Sequence, residues 1–268
     1  MFLFIGIAVA SYVWPRIAGV SAESIPPYVQ WGQVLILLAA GLMAASRFSR
    51  WGRLHNAAND RLRSGDLEAA ARGFEEAMRA AIVAWQASTS RYGLAIASLQ
   101  LGEPRRALDS LIAIESRGGL KPSRSVQVAT AFMLAQCHAL LGQLGEARRW
   151  LGVGAKRHGP GRNPMGILPE AIVLARDGRF EESRDLLGRE WQLIEREGVR
   201  TWKHAMAVRA FAVQQSGDGD GVPAVGDLIA GMKPVHPGEL DDLIAAWPEL
   251  RAFLAARQLP VDPRGSPS

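Results

Sequence analysis

The residue types that do chemistry are present in this chain, but not at the spacings that chemistry needs. The five histidines stand at 55, 138, 158, 204 and 236, and no two of them sit one helical turn apart to grip a metal ion from one face. Cys137 is the single cysteine, which leaves no internal disulfide and no cysteine-rich metal site. Among Ala135, Ala139 and Leu140 it reads as a small core residue. There is no Gly-x-Ser-x-Gly elbow to raise a serine nucleophile, and no Gly-x-x-x-x-Gly-Lys loop to cradle a phosphate. Gly152-Val153-Gly154 lacks the preceding strand and the third glycine of a dinucleotide site. Glu181-Glu182 opens a helix, where carboxylates complement the positive end of the helix dipole. The run Gly217-Asp218-Gly219-Asp220-Gly221 has calcium-loop residue types without the length or the closing Glu, and reads as a turn. The sequence is therefore not that of an enzyme, and no cofactor or metal is expected. The chemistry left to it is non-covalent recognition.

What must position any recognition surface is a repeat. Gly65, Gly102, Gly142, Gly178 and Gly217 are spaced 37, 40, 36 and 39 residues apart. Seven residues before each stands an alanine: Ala58, Ala95, Ala135, Ala171 and Ala210. Five residues after the first four come Ala70, Ala107, Ala147 and Ser183, and four further on Phe74, Leu111, Leu151 and Leu187. Glycine reaches the left-handed backbone that closes a tight turn between helices. Small residues before and after it let the two helices approach, and the large residue fills the space behind. Repetition of such a unit predicts an all-α solenoid of stacked hairpins. The helices are expected over about 50–64 and 67–85, 88–101 and 104–115, 123–141 and 144–157, 167–176 and 179–197, and from about 200 to 216. Residues 47–232 then form the repeats, 233–257 supply capping helices, and 258–268 form a disordered tail.

The unit resembles the tetratricopeptide repeat, and the likeness covers about residues 51–232. The resemblance implies a right-handed superhelix whose first helices line a concave, peptide-binding face. Its groove positions correspond here to His55, Asn59 and Arg63, then Tyr92 and Ile96, Phe132 and Gln136, Ile172 and Arg176, and Phe211 and Gln214. This aromatic, amide and basic mixture suits an extended peptide of a protein partner. Asn59 fits the family's carboxylate clamp, but Ala129 and Met133 stand at the matching third-unit positions, so that specificity is not carried over.

The front of the chain is of another kind. Residues 28–46 form an uncharged run, long enough to cross a bilayer as a helix. Tyr28 and Trp31 lie at one end, where aromatic rings favour the membrane interface, and Arg47, Arg50 and Arg53 follow at the other. Residues 1–20 are also apolar apart from Arg16. They read as a first span completing a two-helix hairpin, or as a signal peptide cleaved near Val20-Ser21-Ala22. Either way the arginines place the repeats on the cytoplasmic side. No proline lies between Pro27 and Pro104, so the second span is expected to run as one rigid helix into the first repeat.

The net charge of +5 has a local origin. Arg47, Arg50, Arg53, Arg61 and Arg63 against Asp60 contribute +4, which points to a bilayer and not to nucleic acid. The layout of apolar segments followed by repeats looks like that of HemY-type membrane proteins, which implies a bacterial inner membrane. Two functions follow as expectations. One is a membrane-tethered adaptor that binds proteins on its repeats. The other is an accessory subunit held in a larger membrane complex through its spans, where Gly41 and Ala45 offer a small-xxx-small contact.

Overall fold

The computed structural model describes residues 27–116, 123–217 and 223–260, with the side chains of 27–34 and 37 outside the description. The described residues form thirteen helices and no strand. They are α1 (Pro27–Ser64), α2 (Leu67–Ala80), α3 (Ala84–Gln100), α4 (Pro104–Glu115), α5 (Arg124–Leu140), α6 (Leu144–His158), α7 (Pro164–Arg176), α8 (Phe180–Arg189), α9 (Trp191–Arg196), α10 (Val199–Ser216), α11 (Val225–Met232), α12 (Asp241–Ile244) and α13 (Pro248–Ala255). Sequential helices pack in antiparallel pairs, and the first helices of neighbouring hairpins also touch, α1 on α3, α5 on α7 and α7 on α10. The result is a helical solenoid.

The repeat pattern translates directly into packing. All five turn glycines have positive φ, between +75° and +83°. At the first four turns the glycine N–H donates to the carbonyl three residues back and the next N–H to the carbonyl five residues back, as in Gly102 N to Leu99 O, 3.1 Å, and Glu103 N to Ser98 O, 2.9 Å. This double closure satisfies the last carbonyls of each first helix. Ala58, Ala95, Ala135, Ala171 and Ala210 are all fully buried, as are Ala70, Ala107, Ala147 and Ser183 behind the turns. Serine replaces alanine at 183 without an unpaired hydroxyl, because Ser183 Oγ donates to Ala171 O at 2.8 Å. Phe74, Leu111 and Leu187 fill the core; Leu151 is only half-buried.

Several expected boundaries move. The second helix of the first hairpin stops at Ala80, and Ala81 to Val83 form an extended connection that Gln86 holds from inside. Helix 179–197 is broken at Glu190 into α8 and α9. Leu259, expected in the tail, is buried; residues 261–268 of that tail lie outside the described residues, as do the Gly118-Gly119 break and Asp218 to Gly221.

The membrane reading meets the structure only in part. Residues 1–20 lie outside the described residues. Among the described residues, no helix is long and apolar enough to cross a membrane. Of the run 28–46, the backbone is helical and joins the first repeat without a break, as expected, while the side chains of 28–34, Tyr28 and Trp31 among them, are outside the description. The described apolar residues of this end, Leu35, Ile36, Leu38, Leu42 and Met43, are all exposed.

Two cores hold the fold. A small one joins the first hairpin to α3 through Ala58, Ala70, Ala71, Phe74, Leu94 and Ala97. A large one runs from Ala95 and Leu134 to Leu250 and Leu259, so the C-terminal helices belong to the body of the solenoid. At the outer end of the small core Trp51 stacks on His55, 5.2 Å between ring centroids, and Trp51 Nε1 donates to Ser90 Oγ at 3.1 Å. Burial pushes the His55 imidazole below its ordinary value of 6.5. The unfolded chain therefore takes up this proton first, and stability falls as pH drops below that value. His55→Phe is expected to flatten the dependence of thermal midpoint on pH between neutrality and about 5, measured by circular dichroism melts.

Candidate functional site

The first helices of successive hairpins border a cavity of about 370 Å³. Its walls come from four hairpins: Tyr92, Ile96 and Leu99 on α3, Met133 and Gln136 on α5, Met165 and Leu168 on α7, and Thr201 and His204 on α10. The lining from α3, α5 and α7 is mainly apolar, with Gln136 in it, and Glu197, Arg200, His204 and Asp242 form a polar wall.

The polar wall is built around Asp242, which is 2% exposed. Arg200 Nη2 donates to Asp242 Oδ1 at 2.9 Å. His204 Nε2 lies 2.9 Å from the Glu239 carbonyl and 3.2 Å from Asp242 Oδ1. Both are acceptors, so Nε2 carries a proton. Burial works against the Asp242 charge, but His204 and Arg200 outweigh it and hold the carboxyl below its ordinary range. The dyad is a structural post: His204 is almost fully buried and its donor is already engaged. Arg200 Nε is buried with no hydrogen-bond partner among the described residues. Helix α10 also opens here, and its N-cap is Gly198, with no side chain closing its first turn. Across the cavity the Tyr92 hydroxyl is pushed up to about 12, by burial and then by Glu197. Glu197 has an exposed surface, yet partial burial of its carboxyl against the wall pushes its pKa above the ordinary carboxylate value and disfavours the charged form. Tyr92 is therefore a neutral hydroxyl, able to donate or accept.

Cys137 is buried, with its thiol pushed up by burial. The cavity suits a group with an apolar body and a polar end. A larger hollow of about 520 Å³ lies between α6 and α8 on the outer face. Within its lining Arg179 pairs with Glu182, and Arg148 reaches out to Asp177.

Of the residues placed on the concave face by the repeat pattern, three are brought together here: Tyr92, Ile96 and Gln136. The others are elsewhere, for reasons of packing. Phe132 is buried, wedged against Gly154 and Gly166, whose missing side chains make room for its ring. Ile172 is fully buried. Arg176 is committed to backbone: Nη1 donates to Ala139 O and Leu140 O, both at 3.2 Å, and Nη2 to Ala246 O at 2.8 Å. Phe211 is covered by Trp247 and Phe253, each 5.5 Å away between centroids. Gln214 is exposed and accepts from Arg257. His55 belongs to the aromatic cluster by Trp51, Asn59 is half-buried, and exposed Arg63 faces Asp60 across 3.8 Å. One event bears on two of these departures, Arg176 and Phe211. Residues 240–247 return across the edge of the solenoid, bringing Asp242 to Arg200 and to the Gly102 turn and Ala246 to Arg176. Arg200 and Asp242 carried no sequence signal, because 42 residues separate them and neither lies at a repeat position.

Protein-family models, characterised proteins and solved structures contain no match to the chain.

Proposed function

We propose that this chain is a membrane-anchored adaptor whose tetratricopeptide-like hairpins, coiled as a right-handed superhelix, bind a protein partner on their concave side. The observation that carries the reading is the cavity: side chains from four hairpins converge on it, with Gln136, Glu197 and Arg200 among the polar groups of its lining. An extended peptide presents such a surface with an apolar side chain and backbone amides to bond. The anchor rests on the uncharged run 28–46, its exposed described residues, and the arginines that follow. Those arginines favour repeats on the cytoplasmic face.

The test is photo-crosslinking in native membranes from a benzophenone amino acid at Tyr92, with the same group at exposed Arg72 as control. A discrete adduct from position 92 alone is expected, and Gln136→Ala should reduce it. An equal adduct from both positions, or none from 92, would sink the reading. A stoichiometric complex that survives mild detergent and is indifferent to Gln136→Ala would favour the accessory-subunit function instead.

A further inference from the structure

The anchor end of the solenoid carries a second feature that neither the repeats nor the cavity uses. Helix α2 runs back along α1, so that Gly73 meets Ala58 and the end of α2 reaches the level of Arg50. There Arg47, Arg50, Leu54, Glu76, Arg79 and Ala80 enclose a cleft of about 440 Å³. Three arginines against one glutamate leave it strongly positive. No ion pair satisfies Arg47, Arg50 or Arg79 among the described residues; Arg79 makes only a bond to the Glu75 carbonyl. Beside the cleft the connection to α3 turns Ile82, Val83 and Trp85 outward, each about 40% exposed, next to exposed Phe48. The rings of Trp85 and Phe48 are 6.1 Å apart. The connection is held: Gln86 is buried and its Oε1 accepts from Ile82 N at 2.9 Å. Apolar side chains are thus presented from a fixed frame at the level where the apolar end of α1 begins.

We propose that this end of the molecule is a docking surface for an anionic phospholipid leaflet, with Arg47, Arg50 and Arg79 gripping a lipid phosphate and Ile82, Val83 and Trp85 seated among the headgroups and upper acyl chains. The proposal rests on the anchor reading of α1. Its own content is that a second element, across the turn from α2 to α3, enters the same leaflet. Charge complementarity selects the occupant. Guanidinium groups pair with phosphate, basic residues near a bilayer favour anionic lipid, and a Trp beside aliphatic residues suits the interfacial zone. The two contacts together would fix the tilt of the solenoid, because a single helix leaves rotation about its axis free.

The experiment uses the full chain with Val83→Cys carrying an environment-sensitive fluorophore. Cys137 is buried and does not compete for the label. Arg105→Cys, exposed at the opposite end of the second hairpin, is the control. Proteoliposomes contain equal parts phosphatidylcholine and phosphatidylglycerol, with a nitroxide quencher near the headgroup of one lipid or the other. Quenching at 83 but not at 105 is expected, stronger from the anionic carrier. Arg79→Glu, chosen because it lies outside the flank of α1, should cut that preference about fivefold or more. Quenching without lipid preference would overturn the phosphate site. No quenching at 83 in a chain that resists alkaline extraction would overturn the docking surface and leave the anchor standing. Release of the chain by alkaline carbonate would overturn the anchor reading, and the proposal with it.

Discussion

Asp242→Ala is expected to destabilise the chain by about 3–5 kcal/mol, the cost of removing one member of a buried charge pair. The carboxylate is 2% exposed and is the acceptor for Arg200. Without it the guanidinium, whose Nε already lacks a partner, is left against the cavity wall with its charge unanswered. His204 keeps only the Glu239 carbonyl. The thermal midpoint should fall on the order of 10 °C for a chain of this size. Hydrogen exchange should quicken first over 225–259 and the start of α10, while the first hairpin, which has its own core, keeps its protection. Uniform loss of protection would contradict the separation into two cores. The acid limb of the stability profile is a second readout. Because the Asp242 carboxyl is depressed in the folded chain, its contribution is present above the ordinary carboxylate value of 3.8 and is lost as pH falls through the lower folded value. That limb should be missing in the variant.

Phe132→Ala is expected to cost about 3–5 kcal/mol as well, by emptying the space between α5, α6 and α7. The ring is the reason two glycines stand in helices. A Cβ on Gly154 would meet it at 2.8 Å and a Cβ on Gly166 at 2.7 Å. Gly154→Ala alone should therefore destabilise by about 1–3 kcal/mol through overpacking, despite alanine's better helix propensity. With Phe132→Leu in place the same change should cost much less. Denaturant melts of the four proteins give the coupling directly. Additive effects would mean that the ring and the glycine do not share one space.

The period of the repeat was legible because it follows from local constraints. A tight turn demands glycine, and two helices crossing beside it demand small residues at fixed offsets. Those demands recur in every hairpin, so the turns at Gly65, Gly102, Gly142 and Gly178, the buried alanines and the unbroken helix through Ser64 could be read from one line of text. Which first-helix residues stay open to a ligand was not legible. Repeat position gives the direction a side chain points, but burial depends on what arrives from elsewhere. Residues 240–247 return over the edge of the stack, Arg176 turns to their carbonyl, and Trp247 and Phe253 cover Phe211. Glycines on later helices draw Phe132 inward. The pairing of Arg200 with Asp242 has the same origin. Sequence alone determined the hairpin and its stacking, because those obey short-range periodic geometry. Tertiary structure alone decided the surface, because closure of the chain on itself is a contact between residues that share no period.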